Sequence, residues 1–582
     1  MSRLRPRHIA FIISIFFLIS GISMAWCAQN NFGTVQATEI NLTTAEGVAI
    51  SGILQKPHVA TPSSPLPGVV VIHGIIQSKE WVMAFGIELV RRGFVVLTID
   101  AVGHGNSGPS VGTETDSGGI AALEYLNSLS YVSTLGMIGH SMGAGIAIQT
   151  VNETSIQVDS LVLIGGISNN MTTWANASFP QNMLFVVGLY DELFDVPELL
   201  TDLAEPFNAT APVVPGQLYG DFISGTARMI ILPPTNHLFE TIDANCISFT
   251  TEWIMNSLKG SPDAYWIPSQ YLLYPLWVAG GILACLGAVL SVFALFTILI
   301  NFSVFRQIRH SPDSRYFAKT PVYLGLGLIY GLLGLGTILA MLIVLPISYP
   351  QIFGLPVILG LFTGSIIAFL LLIGIKYLLN RNGKENTWND FGGFNGEEKG
   401  DYKGLLKKIG IGFLLGFIGI AWLYIWVLPV DTFLALDFRV FLPFMKALSP
   451  LRALFLPLYF LLLLPVCLID GLWVMGILRT QPKDSWWKTQ ILWTGKAIFI
   501  KVLIMAIILI VQTSVSIAIG GPFISGFVGF YLLFLWIFIP LYALSTTYFA
   551  WSYRLSNRFY IAILFNALLF AWLMAAIFPV SI

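Results

Sequence analysis

Leu135-Gly-Met-Ile-Gly139-His140-Ser141-Met142-Gly143-Ala-Gly145 is the stretch that decides how this chain reads. A short apolar run of strand length ends in Gly-x-Ser-x-Gly, and an amphipathic helical pattern follows. Glycines on both sides of a serine let the backbone turn sharply from strand into helix, which lifts the hydroxyl clear of the sheet. The Ser141 hydroxyl then stands at a helix N-terminus, where the amide of Met142 is free to donate to an oxyanion.

A serine so placed needs a base and an acid further along the chain. Phe185-Val-Val-Gly188-Leu-Tyr190-Asp191-Glu192 sets Asp191 just past an apolar run. Glu192 and Asp195 are its rivals for the acid. Ile230-Ile-Leu-Pro-Pro-Thr-Asn236-His237 sets His237 just past the next run. Both side chains emerge at the C-terminal edge of a parallel sheet, where open α/β folds bind ligands. His237 is the expected general base and Asp191 the group that orients it. Upstream, Val69-Val-Val-Ile-His73-Gly74-Ile75 ends another strand, and the Ile75 amide is the second expected oxyanion donor. Asp100-Ala-Val-Gly103-His104-Gly105-Asn106-Ser107-Gly108 is a tight loop at the same edge. His73 and His104 read as loop-orienting residues, His140 as a packing and hydrogen-bonding one, and Cys246 as a buried small hydrophobe.

Around these motifs, short β-branched runs alternate with amphipathic stretches. Strands are expected at about 36–43, 48–55, 68–73, 95–100, 134–139, 160–165, 183–187 and 228–232. Helices are expected at about 78–92, 117–129, 141–151, 193–203 and 239–258. The pattern predicts an antiparallel entry hairpin, then a mostly parallel sheet with helices on both faces.

With its HG, D-x-x-G-H-G-x-S, G-H-S-M-G, G-x-x-D and late His motifs in order, this region resembles the α/β-hydrolase superfamily. The serine aminopeptidase/monoacylglycerol-lipase branch is the nearest in pattern. The resemblance covers roughly 36–258 and implies a hydrolase with Ser141, Asp191 and His237 as its triad. Many relatives insert a helical lid after the strand that follows the nucleophile. Gly165 to Met183 is too short for one. An open site is therefore expected, or one covered only by the stretch 204–226.

The rest of the chain has different physics. The 582 residues are 55% apolar and 10% charged, with a mean hydropathy of +0.77. An average soluble protein is about 25% charged, so a single soluble globule is excluded. Residues 1–270 hold 9 Lys/Arg against 21 Asp/Glu, and the remainder 21 against 10. The acidic half would repel phosphate, which argues against nucleic acid as a partner. The four cysteines form no framework, and no metal or cofactor motif is present.

Residues 1–28 begin with Arg3, Arg5 and Arg7 ahead of an apolar stretch, and read as a signal peptide or a signal anchor. Residues 29–262 form the expected exported hydrolase domain. Residues 263–582 form a multispan domain of about eight all-α spans, at roughly 274–302, 321–347, 350–379, 409–430, 453–478, 491–519, 522–546 and 558–580. Of its 21 Lys/Arg, 17 fall in or beside alternate connections and Lys501 lies inside a span. The exceptions are Arg439, Lys446 and Arg452. The positive-inside rule then predicts a cytoplasmic loop at about 380–408 and an extracytoplasmic hydrolase domain in the cell membrane. Trp473, Trp486, Trp487 and Trp493 read as interface anchors, and Asp470 and Lys501 as a possible pair within the spans.

The resulting expectation is a membrane-embedded serine hydrolase with no metal or organic cofactor. It would act on carboxylic esters, or on amides or peptides, with a small-molecule or acyl-ester substrate and the lipid bilayer as partners. The alternative is a multispan transporter or membrane-assembly protein whose hydrolase-like domain binds or regulates.

Overall fold

Val69 to Ile72 are fully buried, as expected for a strand covered by helices on both faces. They belong to an eight-stranded sheet in a computed structural model that describes residues 5–110, 117–166, 174–310, 354–381, 401–441, 448–577 and 580. The strands are β1 (Val35–Thr43), β2 (Ala49–Pro57), β3 (Leu66–Ile72), β4 (Val95–Ile99), β5 (Val132–His140), β6 (Ser160–Ile164), β7 (Met183–Val186) and β8 (Arg228–Ile231). Their spatial order is β1-β2-β4-β3-β5-β6-β7-β8. β1 and β2 are antiparallel to each other, and β2 is antiparallel to β4. The remaining pairings are parallel. Every expected strand is present, the hairpin entry included.

α1 (Pro6–Gln29) precedes the sheet. α2 (Met83–Val90), α3 (Gly119–Ser128), α4 (Met142–Glu153), α5 (Val196–Asp202) and α6 (Ala244–Lys259) flank it. The C-terminal helical half, called the membrane half for its apolar helices, contains α7 (Tyr274–Leu299), α8 (Gly354–Arg381), α9 (Tyr402–Leu434), α10 (Pro450–Leu472), α11 (Trp486–Ile519), α12 (Gly526–Leu533), α13 (Leu535–Ser556) and α14 (Tyr560–Ile577). α10 runs on into a π turn at Trp473–Ile477. Among the described residues seven helices are long and apolar enough to cross a membrane: α1, α7, α9, α10 with its π turn, α11, α12–α13 over Val528–Ser556, and α14. They are compatible with a multi-pass membrane protein. The expected span at 321–347 lies outside the described residues, as do 382–400 of the expected loop. The span expected at 522–546 runs ten residues further, to Ser556.

The leader packs as a helix of the bundle. Leu18, Ala25 and Ala28 of α1 are wholly buried. A Cβ added at Gly21 would strike the backbone of Ala284, and one at Gly287 the backbone of Leu18. Small residues let the axes of α1 and α7 approach to this distance, which is how helices associate where no hydrophobic driving force separates lipid from protein. The opposite face of α1 carries exposed Ile12 and Phe16, suited to lipid.

Several of the long helices have one end at or near the hydrolase domain. Gln29 Nε2, at the end of α1, donates to the Ala435 carbonyl, just past α9, at 2.7 Å. At the start of α7, the Leu273 and Tyr274 amides donate to Glu88 Oε1. The Gly526 amide, at the start of α12, donates to the Glu192 carbonyl at 2.6 Å, and the Val580 amide, beyond α14, donates to the Gly103 carbonyl at 2.9 Å. Arg452, in the first turn of α10, donates to the carbonyls of Gly103 (2.7 Å) and Gly105 (2.9 Å). The opposite ends meet one another: Asn557 Nδ2 donates to the His310 carbonyl, and Arg554 to that of Trp486.

Three expectations are revised or sharpened. Trp473 and Trp493 are buried in the bundle, while Trp486 and Trp487 are exposed; only the latter pair can sit at an interface. Asp470 and Lys501 pair at 2.7 Å. Arg439 and Arg452, two of the three basic residues on the hydrolase side, are not free loop charges. Arg439 is held by both carboxylate oxygens of Asp437, and Arg452 is buried among backbone carbonyls.

Candidate active site

Ser141 sits between β5 and α4 with φ 54° and ψ −118°. A non-glycine residue held at positive φ is costly, on the order of 1–3 kcal/mol, and persists only where its surroundings over-determine it. Here the Ser141 amide donates to the Ile164 carbonyl at 2.8 Å. A Cβ at Gly143 would strike the carbonyl oxygens of Ile72 and His73, and one at Gly139 the backbone of Gly143. The glycines are required by this close approach of α4 to the strand ends.

His237, after β8, places Nε2 2.9 Å from Ser141 Oγ. Its Nδ1 lies 2.9 Å from Asp191 Oδ2. The Leu193 amide donates to the other oxygen, Asp191 Oδ1, at 2.8 Å. Asp191 is wholly buried and His237 nearly so. Burial opposes a charged imidazolium, but the Asp191 carboxylate, with Glu192 adding to it, outweighs burial and holds the His237 pKa above its ordinary value. The rival acids have other roles. Asp195 Oδ1 caps α5 by accepting from the Glu198 amide. Glu192 lies beside His237 but only Asp191 meets the imidazole Nδ1, and burial pushes the Glu192 carboxyl up to about 8.

Ile75 lines the pocket beside Ser141. Met142 opens α4, so its amide is among the first-turn donors without an intrahelical acceptor. His73 Nε2 accepts from the Ala101 amide at 3.1 Å, and His104 Nδ1 lies 3.0 Å from the Val102 carbonyl. Both histidines hold the 100–108 loop. Asp100 anchors the same loop, accepting from the Lys79 ammonium at 3.0 Å and from the Asn106 amide at 2.9 Å.

Two residues were not singled out by sequence. Gln77 Oε1 accepts from the Gly74 amide at 2.9 Å and lies 3.1 Å from His140 Nδ1. Since that oxygen is an acceptor, His140 Nδ1 carries the proton. Glu240 is wholly buried; its Oε1 accepts from the Gly188 amide at 2.7 Å, and its Oε2 lies 3.2 Å from His140 Nε2 and 3.7 Å from His237 Nδ1. Burial, then the nearby Asp191 charge, drives the Glu240 pKa well up, and burial drives that of His140 well down. The two are neutral together beneath His237, whose ring stacks on that of His140 at 5.2 Å. The i, i+3 spacing of His237 and Glu240 was the available signal. His140, His237 and Glu240 also bring ligand-type atoms within 4.8 Å, but His237 and Glu240 are already committed to Asp191, Ser141 and Gly188.

The pocket over Ser141 is partly covered. Its walls include Phe530, Leu533, Phe534 and Ile537 from α12 and α13, facing Trp81 and Leu238. The stretch 204–226 does not line it. The membrane half supplies the cover expected from a lid, and Phe239 packs edge-on against Trp536 at 5.1 Å beside it.

This fold and strand-to-helix serine define an α/β-hydrolase domain joined to a bundle of apolar helices. Residues 63–195 match the family described as serine aminopeptidase, S33. An uncharacterized protein of Mycobacterium tuberculosis is 27% identical over 107 residues, which is 18% of this chain and 31% of that protein. The chain thus spans about a third of the length of the curated relatives it matches. Among solved structures, an esterase of Pyrococcus furiosus is similar at 18% identity, covering 39% of this chain and 96% of its own, with a TM-score of 0.31. A predicted hydrolase of Thermoplasma acidophilum is similar at 16% identity, covering 38% and 99%, with a TM-score of 0.30.

Proposed function

We propose that the protein is a membrane-embedded serine hydrolase that cleaves carboxylic esters on the outer face of the membrane. The observation that carries this reading is the relay from Asp191 through His237 to Ser141, with both contacts at 2.9 Å and the serine at positive φ. In the first step Ser141 Oγ attacks the acyl carbon and its proton passes to His237 Nε2. Asp191 stabilises the imidazolium that forms, and the amides of Ile75 and Met142 receive the developing oxyanion. The proton then passes to the leaving alcohol. In the second step water attacks the acyl-enzyme, with His237 again taking and returning the proton.

The outer location is supported by the basic residues of the alternate connections and by Arg3, Arg5 and Arg7 at the start of α1. The packing of α1 against α7 favours a retained signal anchor over a cleaved leader.

A fluorophosphonate probe applied to membranes holding the full chain tests the reading. It should label Ser141, and prior exposure to short esters should slow labelling. An absence of labelling in folded protein would favour the alternative, a transport or assembly protein with a hydrolase-like module.

A further inference from the structure

The aromatic residues of α12 and α13 form a ladder that starts at the reacting groups. The Phe530 ring lies 6.3 Å from the His237 ring, edge-on. Phe530 to Phe534 is 5.6 Å, Phe534 to Phe538 is 6.3 Å, and Phe538 to Tyr542 is 6.3 Å. The four are spaced by four residues and so share one helix face. Each is only partly buried. The upper rungs, Phe530 and Phe534 with Ile537, wall the Ser141 pocket. The lower rungs, Phe538 and Tyr542 with Leu541, wall a second cavity within the bundle, which Lys501 and Asp470 also line. Lys501 Nζ stands 5.1 Å from the Tyr542 ring centre, so the apolar path ends at the bundle's buried ion pair.

From Phe530 to Tyr542 the path runs on the order of 18 Å along the helix. A bilayer leaflet's hydrocarbon is about 15 Å thick, half of the whole core. The path therefore starts where the hydrolase domain meets the bundle and ends near the depth of the membrane midplane. A packed core stripe would bury these rings fully; these are only partly buried, and the upper two stand at the Ser141 pocket.

We propose that this face of α12 and α13 is the acyl-chain site of the enzyme, and that its substrate is a long-chain acyl ester presented from the bilayer. The ester carbonyl sits at Ser141, and the tail lies down the ladder towards Leu541 and Tyr542. The ion pair closes the far end and sets the preferred length. This proposal rests on the hydrolase reading above and adds the substrate class to it.

The test uses the full chain in phosphatidylcholine vesicles and a fluorophosphonate with a hexadecyl tail ending in a diazirine. After the head reacts with Ser141, illumination should cross-link the tail to peptides containing residues 534–542 or 463–470. Cross-links confined to the hydrolase domain overturn the proposal while leaving Ser141 labelled, and the hydrolase reading then stands. A probe that never labels Ser141 sinks both. As a second measurement, Leu541→Trp should lower the ratio of kcat/KM for a hexadecanoyl over a butyryl ester by about ten-fold or more. The lipid-facing control Ile510→Trp should leave that ratio unchanged. Equal ratios in the wild type and in folded Leu541→Trp overturn the acyl-site assignment. Should Leu541→Trp fail to fold, the cross-link map decides alone.

Discussion

The ring of Phe530, from the membrane half, stands edge-on to the imidazole of His237 with centroids 6.3 Å apart. The catalytic base of the proposed reaction is thus roofed by a residue more than 290 positions away along the chain. The two halves meet at the site itself rather than through a linker. The contact of the Gly526 amide with the carbonyl of Glu192, next to Asp191, fastens the same corner.

Ser141→Ala should abolish fluorophosphonate labelling and lower ester turnover by about 10⁴-fold or more, by analogy with other triads. The side chain is small and the elbow glycines are untouched, so thermal unfolding of the purified protein should change little. Full turnover in this variant would remove Ser141 from the mechanism.

Asp191→Asn should cut kcat by roughly 10⁴-fold, because an amide no longer fixes the His237 tautomer or stabilises its cation. Asp195→Asn should cost little activity. Its carboxylate caps α5, and asparagine caps nearly as well. Steady-state kinetics on a soluble ester separates the two.

The pH dependence follows from His237 and Glu192. His237 must be neutral to accept the serine proton, and its pKa is raised, so kcat/KM should climb with pH along a limb centred above 6.5. In Asp191→Asn residual activity the limb should move to lower pH, since burial remains and the carboxylate is gone. Stability should run the other way through Glu192. Its carboxyl titrates at about 8 in the fold, against 4.5 ordinarily. The folded state binds the extra proton between those values, so stability falls as pH rises through that window, by up to a few kcal/mol. Glu192→Gln should flatten the slope of a Tm-against-pH series.

Arg452→Met should loosen the seam between the halves. It leaves the Gly103 and Gly105 carbonyls without their guanidinium donor, at a cost on the order of 3 kcal/mol. Limited proteolysis should then reach the 100–110 loop, and ester turnover should fall with it. An unchanged Tm and cleavage pattern would show that the seam does not depend on Arg452.

Topology can be read with a membrane-impermeant maleimide in a cysteine-free chain. Ser178→Cys, exposed in the hydrolase domain, should label in intact cells. Asp484→Cys, exposed among Lys483 and Lys488 in the connection after α10, should label only after permeabilisation. The reverse pattern would put Ser141 in the cytoplasm.

Much of this protein is local and therefore legible in sequence. The strands β1 to β8, the elbow at Ser141 and the strand-end positions of Asp191 and His237 depend on periodicity and turn chemistry within a few residues. The apolar spans depend on length and composition. What depended on packing was not legible. Trp473 and Trp493 look like interface tryptophans by composition, and only their neighbours bury them. Glu240 and Gln77 look like ordinary polar residues until the fold sets them around His140.

By itself, the sequence determined that a hydrolase-like sheet with a serine elbow is joined to an apolar, positively biased helical half, because backbone turns, burial periods and membrane partition are properties of short segments. Only the tertiary structure decided that Phe530, Phe534 and Ile537 roof the serine, that Arg452 clamps the 103–105 loop, and that α1 belongs to the bundle. Those are contacts between residues hundreds of positions apart, and they follow from which faces remain apolar once every segment has folded.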